Sequence, residues 1–319
     1  MRKRRCFAPS KGIVVMAELR ALVLAGCLAA ASGGFASAAD LLPPAPALPP
    51  PAVEFSGWYL RGDVGLGANF SAPELKNTPD PIATGVASGF LSPAAMQSFN
   101  NTTLSSFGMI DVGVGYQFNN WLRVDGTFEY RGGANLQSLY TLSDCCAPAF
   151  AGGPTQFADF YRANVSSFIG LVNVYADLGT WYGVTPFVGG GVGFADNNVS
   201  GFTDQGFGYA NNVSLGPAGG YFADASRTNF AWALMAGLDF RINQYLKLEF
   251  GYRYLNYGSI TTGASHCLSA TGGFTSANCS GGVANYVSSR NSLASNDFRL
   301  GLIYMLGEPA PAAPIKTKY

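Results

Sequence analysis

The chain has 319 residues: 48% are apolar, 13% aromatic and only 12% charged, about half the charged share of a typical soluble chain. Nineteen basic residues balance nineteen acidic ones, which excludes a strongly basic nucleic-acid binder, and the aromatic content excludes an intrinsically disordered chain. Forty-one glycines exclude a coiled coil, the lack of a strict Gly period excludes collagen, and a single histidine, His266, leaves little for histidine-based metal or acid–base chemistry.

The chain opens on a basic stretch, Arg2, Lys3, Arg4, Arg5, Lys11 and Arg20, with a second candidate start at Met16. An uncharged run, Ala21–Ala39, follows, too short for a membrane helix and right for the apolar core of a signal peptide. It ends at Ala36-Ser37-Ala38, a cleavage pattern that predicts a leader over 1–38. Leu24-Ala25-Gly26-Cys27 is a rival lipoprotein box, but small apolar residues run on past it to the second cleavage site. Loss of the leader leaves 13 basic and 18 acidic residues, a net charge of −5, and four cysteines in an oxidising compartment. Residues 39–54 read as a Pro-rich linker and 307–319 as a similar tail, with one patterned region, 55–306, between them.

That region predicts eight strands by strict period-two alternation. In the first, Trp58, Leu60, Val64, Leu66, Ala68 and Phe70 oppose Arg61, Asp63, Gly65 and Gly67. In the second, Ile110 to Phe118 alternate with Asp111, Gly113, Gly115 and Gln117. In the third, Leu122, Val124, Phe128 and Tyr130 oppose Arg123, Asp125, Thr127, Glu129 and Arg131. The fourth sets Phe168, Val172, Val174 and Leu178 against Asn173, Tyr175 and Asp177. The fifth, 186–194, sets Val188, Val192 and Phe194 against Gly189, Gly191 and Gly193. The sixth sets Phe230 to Ile242 against Asp239 and Arg241. The seventh sets Leu246 to Tyr254 against Lys247, Glu249 and Arg253, and the eighth Phe298 to Leu306 against Arg299 and Gly301.

Tight turns at Asn119-Asn120, Gly179–Gly183 and Asn243-Gln244 alternate with long connections of about 33 to 38 residues, the layout of a transmembrane barrel. The predicted fold is therefore all-β: an eight-stranded antiparallel up-and-down transmembrane β-barrel, with short periplasmic turns and long extracellular loops. Aromatic residues near segment ends, Trp58/Tyr59, Trp121, Trp181/Tyr182, Tyr245 and Tyr252/Tyr254/Tyr257, fit interfacial girdles. An even count closes the sheet, as lipid requires.

A barrel of eight strands has an interior filled by side chains. The inward positions are Arg61, Asp63, Arg123, Asp125, Glu129, Arg131, Asp177, Asp239, Arg241, Lys247, Glu249, Arg253 and Arg299, with Asp111 as a further acid. Charges at that depth should pair into a structural core. The rival is a narrow channel lined by the same charges. Cys267 and Cys279, twelve apart in the last loop, are the default disulfide, although Cys145-Cys146 leaves three connectivities open. His266 has no inward Ser beside it, so neither a nucleophilic enzyme nor a metal site is expected, and no cofactor.

GTWYGVTPFVGGGVGFA from Gly179, FAWALMAGLDFRINQYLKLEFGYRYLNYG from Phe230 and the final DFRLGLIYML resemble the small porin-like, immunogenic outer-membrane β-barrel proteins of alphaproteobacteria. That family is related in architecture to the OmpA transmembrane domain and the opacity proteins. The resemblance implies integral outer-membrane location and a structural, porin-like or surface-antigen role. Some members bind haemin, but no residue here matches that role. The implied partners are outer-membrane lipid and lipopolysaccharide, the insertion machinery through the last strand, and host or surface ligands at the loops. The chain departs from the usual aromatic terminus, because a tail follows Tyr304-Met305-Leu306. The expected function is a structural and surface-interaction protein of the envelope, with a small diffusion channel as the alternative and a lipid-acting enzyme behind it.

Overall fold

The computed structural model describes residues 56–69, 73–268, 274–275 and 285–306. The expected leader, linker and tail, together with Phe70 and Cys279, lie outside them. In chain order the strands are β1 (Gly57–Asn69), β2 (Leu75–Thr78), β3 (Met96–Leu104), β4 (Phe107–Gln117), β5 (Leu122–Ala147), β6 (Gly153–Asp177) and β7 (Val184–Ala210). They continue with β8 (Val213–Phe222), β9 (Ala225–Arg241), β10 (Leu246–Gly258), β11 (Ser265–Leu268), β12 (Phe274–Thr275), β13 (Tyr286–Ser289) and β14 (Leu293–Met305). One helix, α1 (Pro81–Ala87), was not expected from the sequence. It is two turns long, capped by the Asp80 carboxylate, which accepts from Ile82 N.

Eight strands close into a ring, β1–β4–β5–β6–β7–β9–β10–β14 and back to β1, every neighbour antiparallel. The turns on one side are tight because short polar side chains replace ladder bonds. Asn119 Oδ1 accepts from Trp121 N (3.0 Å) and Leu122 N (2.8 Å), and Asn243 repeats the device with Tyr245 N (2.8 Å) and Leu246 N (2.9 Å). The β6–β7 turn places Tyr182 and Gly183 at φ of 52° and 82°, the left-handed pair that a tight hairpin needs.

The outer side differs from the expected loops. Strands β5, β6 and β7 run for 26, 25 and 27 residues, two to three times a membrane span, and rise into a crown. A polarity inversion marks where lipid stops. On β5 the outward side chains are Val124, Phe128 and Tyr130, and the inward ones are charged. Past Gly132-Gly133 the register slips between Arg131 and Ala134. The inward residues then become Ala134, Leu136, Tyr140 and Leu142, all buried, and the outward ones Asn135, Gln137, Thr141 and Ser143. On β6 the outward row changes from Val172 and Phe168 to Asn164 and Arg162, and on β7 from Val192 and Phe194 to Asp196 and Asn198. Below the inversion the solvent outside is lipid, so apolar side chains face out. Above it the solvent is water, so they face in. From Leu122 to Tyr130 is nine residues, the reach of a tilted span.

The crown therefore has a core of the ordinary soluble kind. Tyr161 packs against Tyr140, Phe202 and Phe222, and Leu75, Leu91, Leu136, Val287 and Ile260 join the same buried cluster. Strand β7 changes partner within the crown. It pairs with β9 from Val184 to Val199, and then with β8 from Phe202 to Ala210. The crown edges carry β3 on β5, and β11 with β12 on β8. A separate two-stranded ribbon, β2 with β13, joins the first and last external connections.

Candidate functional site

The barrel interior holds two layers of charge. In the lower layer Arg61 forks onto Asp63 (2.9 and 2.8 Å) and also donates to Asp125 (2.9 Å), Glu249 (2.8 Å) and the Tyr175 hydroxyl (2.9 Å). Arg123 reaches Asp177 (3.1 Å), Glu249 (3.2 Å) and Asp239 (3.2 Å), with its guanidinium over the rings of Tyr175 (4.6 Å) and Phe187 (4.7 Å). Arg299 spans Asp63 (3.1 Å) and Asp111. Lys247 donates to Gln117 Oε1 (3.0 Å). In the upper layer Glu129 and Asp297 are shared by two arginines. Arg131 reaches them at 2.5 and 2.6 Å, and Arg253 at 2.6 and 2.8 Å. Planar guanidinium forks suit this many-partner role better than ammonium groups do.

Of the thirteen inward charges expected from the alternation, twelve are at most 6% exposed. Arg241, at the periplasmic mouth, is only half-buried.

Four interior residues stood outside the expected set or at its margin. Asp111 is buried on the inward face, and Asp297, fully buried, lies just before the expected start of the last strand on the parity of Arg299. Tyr59, expected in the girdle beside Trp58, instead points inward and donates to Asp125 (3.0 Å). Tyr175, placed on the inward side with no role, donates no charge but stacks on Arg123 and accepts from Arg61. The glycines opposite make room: a Cβ on Gly115 would lie 2.3 Å from the Tyr59 ring, and one on Gly189 2.6 Å from Tyr175.

In the crown, Cys145 and Cys146 are free and exposed at the β5–β6 tip, which removes the connectivities that pair the two loops. Cys267 is disulfide-bonded; its expected partner, Cys279, lies outside the described residues. His266 stacks flat on Tyr221 (4.8 Å) with Nδ1 3.1 Å from the Ala264 carbonyl oxygen, a packed position on β11 away from the barrel charges. Among the described residues no three His, Cys, Asp or Glu side chains group to hold a metal. Asp159 and Asp204 are neighbours on β6 and β7 at the crown core. Burial pushes Asp159 up to about 6, and burial with the nearby Asp159 charge pushes Asp204 up to about 8.

A family model described as the outer membrane protein beta-barrel domain matches residues 25–304. The chain belongs to that family. Its proteins are integral to the bacterial outer membrane, and the closed ring with lipid-facing aromatics is the physical form of that location. An uncharacterized protein of Brucella abortus (strain 2308) is 30% identical over 246 residues, which cover 74% of this chain and 80% of that one. Outer membrane protein PagN of Salmonella typhimurium (strain LT2) is 27% identical over 153 residues, covering 46% of this chain and 55% of that one. Among solved structures, Neisserial surface protein A aligns over 79% of this chain and 98% of its own, at 12% identity and a TM-score of 0.33.

Proposed function

We propose that this outer-membrane barrel is a closed anchor that holds its crown above the membrane for contact with surface ligands, and that it neither conducts solutes nor catalyses. The observation that carries the reading is the burial of the interior charges, with Arg61, Arg123, Arg131, Arg253 and Arg299 each shared among two or more carboxylates. Carboxylates locked in this way are unavailable as general acids or bases. The crown, by contrast, takes up the largest strands and has its own core, which is what a presentation platform needs. Outer-membrane lipid and lipopolysaccharide contact the apolar belt. The alternating row Phe298, Leu300, Leu302, Tyr304 and Leu306 on and just beyond β14 is the element that the insertion machinery would read. Planar-bilayer recording of pure refolded protein tests the closed interior. No discrete conductance is expected; steps that change on Arg123→Gln or Glu129→Gln would overturn it.

A further inference from the structure

Above the membrane, the β2–β13 ribbon, the top of β9 and the segments that follow β10 and β13 enclose an open cavity of about 530 Å3, within the range that binds small molecules. Eleven residues line it. Three are cationic, Lys76, Arg227 and Arg290, none is acidic, and seven carry hydroxyl groups, among them Ser259, Thr261 and Tyr286. The three cations come from three different external connections, so the fold, and not a local run of charge, brings them together. Arg290 reaches one carboxylate, Glu74, at 3.4 Å, in a pair that is more than half exposed on both sides and hence weak. Among the described residues, neither Lys76 nor Arg227 makes an ion pair. The last external connection, from Ser259 to Asn296, contains no Asp or Glu at all. Three acids stand near the cavity without lining it, and each has a partner of its own: Asp80 accepts from Ile82 N and Gln97, Asp196 from Thr228 and Asp224 from Gly201 N.

Three cations, two of them without an ion pair and the third in a weak one, around a concave, hydroxyl-rich wall call for an anion that also presents hydroxyl groups. We propose that this cavity is a binding site for a saccharide bearing a phosphate or sulfate ester, the cations taking the ester and the Ser, Thr and Tyr hydroxyls the sugar. Height fits this ligand. Arg227 lies three residues past Phe230, the last lipid-facing residue of β9, about 10 Å along the strand. That is the level of the headgroup sugars of the cell's own outer leaflet and of the water above them. The inference rests on the surface-contact reading and gives it a ligand class.

The test is titration of detergent-purified full-length protein with trehalose 6-phosphate, with trehalose, and with inorganic phosphate, by calorimetry at low and high salt. Trehalose 6-phosphate should bind at least about tenfold tighter than trehalose, and more weakly as salt rises. Lys76→Gln and Arg227→Gln should each weaken it about tenfold, the loss of one charge-assisted contact. Glu74→Gln should tighten it by freeing Arg290. Heat-modifiable gel migration reports that each variant is folded. Lipopolysaccharide that co-purifies with the wild type and not with the Lys76→Gln/Arg227→Gln double variant assigns the site to the cell's own leaflet; ester binding without it assigns the site to foreign glycans. Equal binding of trehalose and trehalose 6-phosphate, or binding untouched by both substitutions, overturns the proposal. Inorganic phosphate binding as tightly as the sugar ester would overturn the saccharide part. None of these readouts needs cell adhesion, so they fail independently of the presentation role.

Discussion

Replacing Asp297 by Asn tests whether the interior is held by its ion pairs. Asp297 has no exposure and accepts from Arg131 Nη2 at 2.6 Å and from Arg253 at 2.8 and 3.0 Å. The amide keeps the volume and removes the charge, so two buried guanidiniums then share only Glu129. Stranding a buried charge in this way costs about 3–5 kcal/mol. Arg253→Met alone should cost a similar amount, because Glu129 and Asp297 then share Arg131. The double variant leaves one neutral pair, Arg131 with Glu129 at 2.5 Å, and should recover at least about 1.5 kcal/mol relative to the sum of the two single losses. Urea unfolding in detergent micelles, read by heat-modifiable migration and tryptophan fluorescence, measures all four corners of the cycle. A loss under about 1 kcal/mol for Asp297→Asn, or strict additivity in the cycle, would refute a core held by paired charge.

Two further outcomes follow from the crown. Asp159 and Asp204 have folded pKa values of about 6 and about 8, above the ordinary value near 3.8, so the folded crown binds more protons than the unfolded one. Their contribution is full below about pH 4 and is lost as pH rises through about 6 to 8, so the crown should gain stability on going from pH 8 to pH 5. The protection factors of 134–165, which divide out the intrinsic base catalysis of amide exchange, should rise over that interval, and Asp204→Asn should flatten the dependence; an unchanged profile in the variant would contradict it. Impermeant maleimide on intact cells should label Cys145 and Cys146 without reductant and Cys267 only after reduction, read by mass spectrometry of the tip peptides. Labelling only after lysis would invert the assigned topology.

The membrane-embedded half was legible in the sequence because lipid enforces one rule over nine or more residues: apolar out, polar in. Arg123, Asp125 and Glu129 alternate with Val124 and Phe128, a period of two that no helix gives. The crown halves of β5, β6 and β7 read as loops, although the alternation continues there. Leu136, Tyr140 and Leu142 keep period two, but the bulge at Gly132-Gly133 shifts its phase, and Asn, Ser and Gly dilute it. Tyr59 was misplaced because a tyrosine beside a tryptophan has the composition of a girdle, and only parity with Arg61 shows that it faces in. Asp297 carried the same parity signal relative to Arg299. The anion cavity has no local signature, since Lys76, Arg227 and Arg290 are more than sixty residues apart.

The partner change on β7 separates two kinds of freedom. The ring is complete once Val199 has met Ala225, and everything beyond that rung hangs from it like a branch from a trunk. Residues can be added to or removed from the β7–β8 and β5–β6 hairpins in pairs without moving a single rung that faces lipid. The outside of the molecule can therefore be rewritten quickly under pressure from whatever it meets, while the part that must satisfy the membrane stays unchanged.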